Sequence, residues 1–508
     1  MTRTTITTPT AVTQKRPVGW VVGLLVLGLL GGCGEEYLEV TPRDSITDAN
    51  FYKTDADAIQ ATNAVYSELG KGGQYNYALW GIGEIMSDNS TTGGGGGGDG
   101  FEEQQLDNFN IPANNLMTSR LWGGSYVAIG RANIVLQKVP GIQMDEQLRT
   151  RCLGEARFLR AKFYFDLVRV FGEVPLITTP PANLAEARVA RTPVDQVYAL
   201  IKDDLTQAIN ALPSSYSGAD LGRATKWAAT GLLAKVHLTR NEKGEAARRA
   251  KEVTEMSPHA LWADYGDNFK VANENGKESL FEVQYINGFN EFTFDGLGYS
   301  GNTFFGPRGA DIVPESGYGF NVPEPDFVDG YASGDKRKAV TIWAPGDRYP
   351  DGRTQPASLP GSPNGYNCRK WFVGKTNTRV WDSPLNFPVL RLAEMYLILA
   401  EAVGNTPEGL AAVNKVRRRA FGEDMNATDA QPHDFTANTA DFIDKVQKER
   451  RYELAFENDR WFDLKRTGKL VERMMATGKT NIRETNLVMP IPQSERDANP
   501  NLTQNPGY

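Results

Sequence analysis

The chain has 508 residues, of which 40% are hydrophobic and 23% charged, enough for a sizeable core and too polar for a multi-span membrane protein. A formal charge of −7 argues against nucleic acid as a partner, because its phosphates demand a basic face. Three cysteines (Cys33, Cys152, Cys368) and three histidines (His237, His259, His433) stand far apart without a CxxC pair, which argues against a Cys/His zinc site. An oxidising compartment would permit a Cys152–Cys368 disulfide. Cys152 lies in a strongly helical segment, however, where a buried thiol is the ordinary outcome.

Arg3, Lys15 and Arg16 precede an apolar run from Val18 to Leu30, the layout of a secretory signal. The run is shorter than the roughly 20 apolar residues of a comfortable span. It ends in Leu29-Leu30-Gly31-Gly32-Cys33. A small residue beside Cys after an apolar run resembles the lipobox of bacterial lipoproteins. That resemblance implies a signal peptide over 1–32 and lipidation of Cys33, the new N-terminus, and two or three acyl chains anchor durably where one does not. A signal anchor with an incidental Cys is the plainer alternative. Gly34-Glu35-Glu36 resembles the surface-export signals of Bacteroidetes lipoproteins. The expected location is the outer membrane, lipid-anchored and facing the exterior.

Residues 33–52 read as a lipidated tether and extended segment punctuated by Pro42. Helical periodicity begins near Asp55 and defines a helical region over 53–260. Helices are predicted over 115–138, 145–171, 193–211, 223–240 and 242–256, with Pro193 suited to a first turn. A glycine-rich loop, Gly93 to Gly98, interrupts them. It lacks GxxxxGK[ST] and so is no phosphate loop; it reads as a flexible lip over a pocket, or as disorder. Small residues recur through Ala224, Ala228, Ala229, Gly231 and Ala234, then Ala246, Ala247 and Ala250. Two short antiparallel helices meeting through small residues match a tetratricopeptide-type pair, and plain helical hairpins would look similar. The pattern returns at Leu390–Val403 and Pro407–Ala420.

Between them, 261–387 is an irregular, aromatic-rich insert with a few short strands such as Ser279–Tyr285. It is too long for a connector, and long loops on a rigid scaffold tend to carry function. Helices resume over 388–475, and the 388–508 region ends in a Pro/Asn-rich extended tail from Pro490.

The run Phe387-Pro388-Val389-Leu390-Arg391-Leu392-Ala393-Glu394-Met395-Tyr396-Leu397 resembles the SusD/RagB family of Bacteroidetes nutrient-uptake lipoproteins. So do Glu449-Arg450-Arg451-Tyr452-Glu453-Leu454-Ala455-Phe456-Glu457, Arg460-Trp461-Phe462-Asp463-Leu464-Lys465-Arg466, and the ending from Pro490-Ile491-Pro492 through Asn505-Pro506-Gly507-Tyr508. The resemblance implies a mainly α fold, a right-handed superhelix of tetratricopeptide-like helix pairs with the irregular region packed on it. It implies binding of a glycan, or of a peptide in RagB-like members, and delivery to a SusC-like TonB-dependent transporter that the lipoprotein covers as a lid. From the residues alone, the alternating charges of Glu449–Glu453 read as ion pairs, and Trp461 and Phe462 as core anchors.

A sugar binder needs exposed rings flanked by polar groups. Two regions offer them: Trp80, Asp88, Asn89, Asp99 and Phe101 around the glycines, and Tyr285, Asn287, Phe289, Asn290, Phe292, Phe294, Trp343, Tyr349, Tyr366 and Trp371 in the insert. Packing is the competing role for each ring. Asp88, Asn89 and Asp99 match no EF-hand spacing, and no cofactor is expected. No Gly-x-Ser-x-Gly elbow or barrel periodicity points to an enzyme, so a glycosidase is disfavoured. A protein-only tetratricopeptide scaffold is the other class, and the aromatic insert argues against it.

Overall fold

The computed structural model describes residues 51–96, 98–288, 293–375 and 381–508. The signal peptide and Cys33 lie outside the described residues. Helices occupy Asp55–Tyr66 (α1), Leu116–Lys138 (α2), Glu146–Phe171 (α3), Val194–Ala211 (α4), Lys226–Thr239 (α5) and Lys243–Met256 (α6). After the insert come Leu392–Val403 (α7), Pro407–Phe421 (α8), Phe442–Glu453 (α9), Arg460–Arg466 (α10) and Leu470–Ala476 (α11).

Their ends follow local chemistry. Thr54 and Asp57 form a capping box at α1, and the Asn115 carboxamide accepts from Met117 and Thr118 N–H at α2, satisfying donors the helix leaves open. Thr406 caps α8, Pro407 opens it, and Gly422 closes it in the left-handed region.

Each long helix packs on the next, from α2 through α8. The close contacts rest on small residues, as the sequence suggests. A Cβ on Gly154 of α3 would lie 2.8 Å from that of Ala211 on α4, and one on Gly231 of α5 would press at 3.2 Å on Leu280 and Met395. Ala246, Ala250 and Val253 form the buried face of α6. Notably, α6 packs directly against α7 although 135 residues separate their ends. The helical stack is continuous there, and the insert loops out from it. No described helix is long and apolar enough to cross a membrane.

The insert leaves and re-enters through one antiparallel ribbon. Among four strands that matter here, β1 is Ser90–Gly93, β2 Ser279–Val283, β3 Phe320–Pro323 and β4 Phe387–Arg391. β2 pairs with β4, in the register Ser279↔Arg391 and Val283↔Phe387. The expected helix from Leu390 therefore starts later, because Phe387 to Arg391 are claimed by that ladder. β1 pairs with β3, tying the glycine-rich loop to the insert. The tail is mostly extended, with a short helix at Gln493–Ala498. Cys152 and Cys368 are both free and buried, not bridged.

A buried charge lattice joins these parts. Arg391, at the end of β4, donates to Glu278 Oε1 (2.9 Å), Glu453 Oε1 (2.9 Å) and Glu457 Oε1 (2.8 Å). Arg419 of α8 reaches Glu278 at 2.9 Å and Glu453 at 2.5 Å, and Arg337 of the insert reaches Glu449 at 2.7 Å and Glu453 at 3.3 Å. Lys370 closes on Glu457 at 2.8 Å. Burial alone would raise the Glu453 pKa; Arg419, Arg391 and Arg337 outweigh it and hold the carboxyl down to about 2. The ion pairs read from Glu449–Glu453 are thus real and internal.

Removing one member leaves its partners charged and dry, which costs far more than a surface pair. Arg391→Ala should destabilise the protein by about 3–5 kcal/mol in denaturant unfolding. A loss below about 1 kcal/mol would show that the lattice does not hold the insert.

Candidate functional site

The ring-bearing positions expected on a capture surface divide sharply. Trp80 is fully buried and meets Phe305 edge-on at 5.3 Å. Tyr285 lies inside against Tyr299, and Trp371 stacks on Phe387 at 4.7 Å. Trp343 and Tyr349 form a satellite core with Ala310, Ile312 and Val313. These five are structural rings, and burial overrides the expectation that they face a ligand.

Asp88 and Asn89 are buried as well. Asp88 accepts from Arg460 Nε at 2.7 Å and Arg473 Nε at 3.0 Å. Asn89 Oδ1 accepts from Arg451 Nε at 2.9 Å, while its Nδ2 donates to Glu84 at 3.1 Å. Their polar groups are spent inside. Phe101 is 61% exposed and Asn287 is exposed; Tyr366 is half-buried. Phe289, Asn290 and Phe292 lie outside the described residues.

A different row of rings reaches the surface. Tyr77, Phe294 and Trp381 stack in sequence, at 4.2 Å and 26°, then 4.4 Å and 22°. Phe304 sits beneath, 5.4 Å from Trp381 and 5.1 Å from Tyr318. Phe294, Trp381 and Tyr318 are half-buried, each keeping part of its ring open. Of these, sequence reasoning singled out Phe294 and missed Trp381 and Tyr318. Tyr318 did carry a signal: Gly317 and Gly319 bracket it. Both adopt positive φ, 75° and 68°, which turns the chain sharply and leaves the ring without a strand to bury it.

Polar groups border the row. Tyr318 Oη donates to Glu315 Oε2 at 3.0 Å, and the Trp381 indole lies beside that hydroxyl. Partial burial and then Glu315 push the phenol up to about 12, so it stays a donor at neutral pH. Arg308 holds the Tyr318 carbonyl at 3.0 Å and Asp99 at 2.7 Å. Lys375 pairs with Asp311 at 2.6 Å. Asp88 and Asp99 are each taken by arginine rather than converging on a cation.

The start of the glycine-rich loop, Gly93 and Gly94, turns against this face, while Gly95, Gly96 and Gly98 are exposed. Gly94 N–H donates to Gly319 O at 2.8 Å. A Cβ on Gly93, at φ +73°, would stand 2.2 Å from that same oxygen, so glycine is required there. The arrangement offers apolar ring faces with hydrogen-bonding rims.

Behind the face, Gly81–Ile85 forms a π-helical turn that buries Glu84. Burial pushes its carboxyl up to about 8, only partly offset by Asn89 and the Asn458 N–H at 3.0 Å. The folded state therefore prefers the protonated acid, whereas the unfolded chain ionises near 4.5. Stability from this group is full below about 4.5 and drains as pH rises towards 8. Glu84→Gln should flatten the decline in unfolding free energy across that window, read by denaturant titration; an unchanged slope would mean Glu84 is not neutral inside.

Two family models match the chain, one described as the SusD family over residues 277–508 and one as starch-binding, associating with outer membrane, over 36–238. A SusD-like protein P25 of Formosa agariphila is 29% identical, covering 93% of this chain and 96% of its own. A solved laminarin-binding SusD-like protein is 30% identical with a TM-score of 0.77, covering 90% of this chain and 100% of its own. The surface glycan-binding protein A of Bacteroides thetaiotaomicron, solved with laminarihexaose, shares the fold at 23% identity and a TM-score of 0.74, covering 89% and 100%. With this scaffold, two family models matched along its length and a relative 30% identical over that relative's full length, the chain belongs to the SusD family.

Proposed function

We propose that this protein captures a glycan on the Phe294–Trp381–Tyr318 face without chemically altering it. It then passes the glycan to a SusC-like TonB-dependent transporter, which it covers as a lid at the outer membrane. The observation that supports this reading most is the stacked, half-open ring row, rimmed by Glu315, Arg308 and Asp99. Sugar C–H faces lie on aromatic planes while their hydroxyls meet polar rims. The laminarin-binding relative makes that glucan the first ligand to try. Phe101, exposed two residues beyond Asp99, and the exposed Asn287 are further candidate contacts.

Trp381→Ala should weaken laminarin binding by about 2 kcal/mol, roughly 30-fold, the scale of a central aromatic anchor. Calorimetry with laminarin, starch and a peptide pool measures it. Equal affinity for the variant would remove the ring row from the site, tight binding to peptides alone would replace the glycan reading, and sugar released by clean protein would make it an enzyme.

Attachment rests on Cys33, whose acylation would place the body at the membrane surface. Cys33→Ala should release the protein into the soluble fraction and abolish labelling by a fatty-acid probe. Persistent acylation of that variant would refute the site.

A further inference from the structure

The chain is acidic overall, yet one cleft of about 270 Å3 reverses that balance. It lies between α9, α10 and α11, beyond the end of β3 and apart from the ring row. Seven basic side chains line it against three acidic ones, Asp326, Asp444 and Asp463.

The ion pairs do not close. Arg451, Arg460 and Arg473 share two carboxylates: Asp88, at 3.2, 2.7 and 3.0 Å, and Asp326, at 3.2 Å from Arg451 and 2.9 Å from Arg473. Three guanidiniums on two carboxylates leave one positive charge. Lys469 is neutralised by Asp444, but Lys448, exposed on the rim, has no carboxylate within ion-pair distance among the described residues. That is a second charge.

On the other wall, Arg466 reaches Glu401 at 2.6 Å and Asp463 at 2.8 Å, Arg450 joins Asp463 at 2.7 Å and also Glu394, and Lys235 takes Glu394 at 3.1 Å, so three cations there meet three carboxylates. Arg450 is 2% exposed, lines the cleft, and its Nη1 finds no hydrogen-bond acceptor. A buried guanidinium N–H without an acceptor is costly, so this wall carries a positive group that its carboxylates do not fully satisfy.

We propose that this cleft binds a phosphate-type oxyanion. Guanidinium forks match its oxygens two at a time, and two uncompensated positive charges match a dianion. The charge is carried by a free phosphate, a phosphorylated ligand or a lipid headgroup, and the chemistry of the cleft is the same for each.

The test is a calorimetric titration of the full chain with inorganic phosphate at constant ionic strength. Lys448→Gln should weaken binding about five-fold, while Asp326→Asn, which removes a competing carboxylate from the rim, should tighten it by a similar factor. Opposite signs from two rim changes are not what a general loss of structure produces, and an unchanged melting temperature confirms folding. Sedimentation with phosphatidylcholine vesicles containing phosphatidic acid then separates the sources: Lys448-dependent pelleting assigns a lipid headgroup, and phosphate binding without pelleting assigns a soluble one. No heat with phosphate at about 10 mM, a concentration that would populate even a millimolar site, overturns the proposal. So do two variants that shift affinity in the same direction.

Discussion

Everything in this molecule turns on carboxylates that have been taken out of water and surrounded by arginine. Glu453 is the centre: Arg391, Arg419 and Arg337 converge on it from a strand end, a helix and the insert. Dry ion pairs contribute little net stability when compared with apolar packing, but they punish misplacement severely. Three segments distant in sequence can therefore meet in one geometry only. The lattice helps set where the irregular region sits, and the ring row carried by that region inherits its placement.

The insert has only short helices and strands, with no long face to bury, and it assembles small cores of its own. Trp343, Tyr349 and their aliphatic neighbours form one, and Trp371 against Phe387 forms another. Tyr318 stays partly open between Gly317 and Gly319, where the backbone turns tightly.

The helical scaffold could be read from the sequence because its signals are local. Period, caps and small-residue contacts are written within a few turns of each helix, and α1 through α6 begin and end close to where their periodicity does. The ladder of Phe387–Arg391 could not be read, since its partner lies 108 residues earlier and helix and strand patterns coincide over so short an apolar run. Ring exposure was harder still. Trp343 and Trp381 look alike in composition, and only three-dimensional neighbours decide that the first is covered and the second half open. Asp88 and Asn89 carried the chemistry of a polar rim, yet Arg451 and Arg460, more than 360 residues away, claim them. Burial is a property of the whole chain, and local pattern does not contain it.

The direct packing of α6 on α7 has an evolutionary corollary. Because the helical stack runs past the point where the insert departs, the contact of α6 with α7 does not pass through the excursion between β2 and β4. A change in the length of those loops would leave that contact in place. What an altered loop set would have to keep is more than Arg337 and Lys370 in the acidic socket of Glu449, Glu453 and Glu457: the β1–β3 pairing and Asp326 against Arg451 and Arg473 seat the same excursion on the frame.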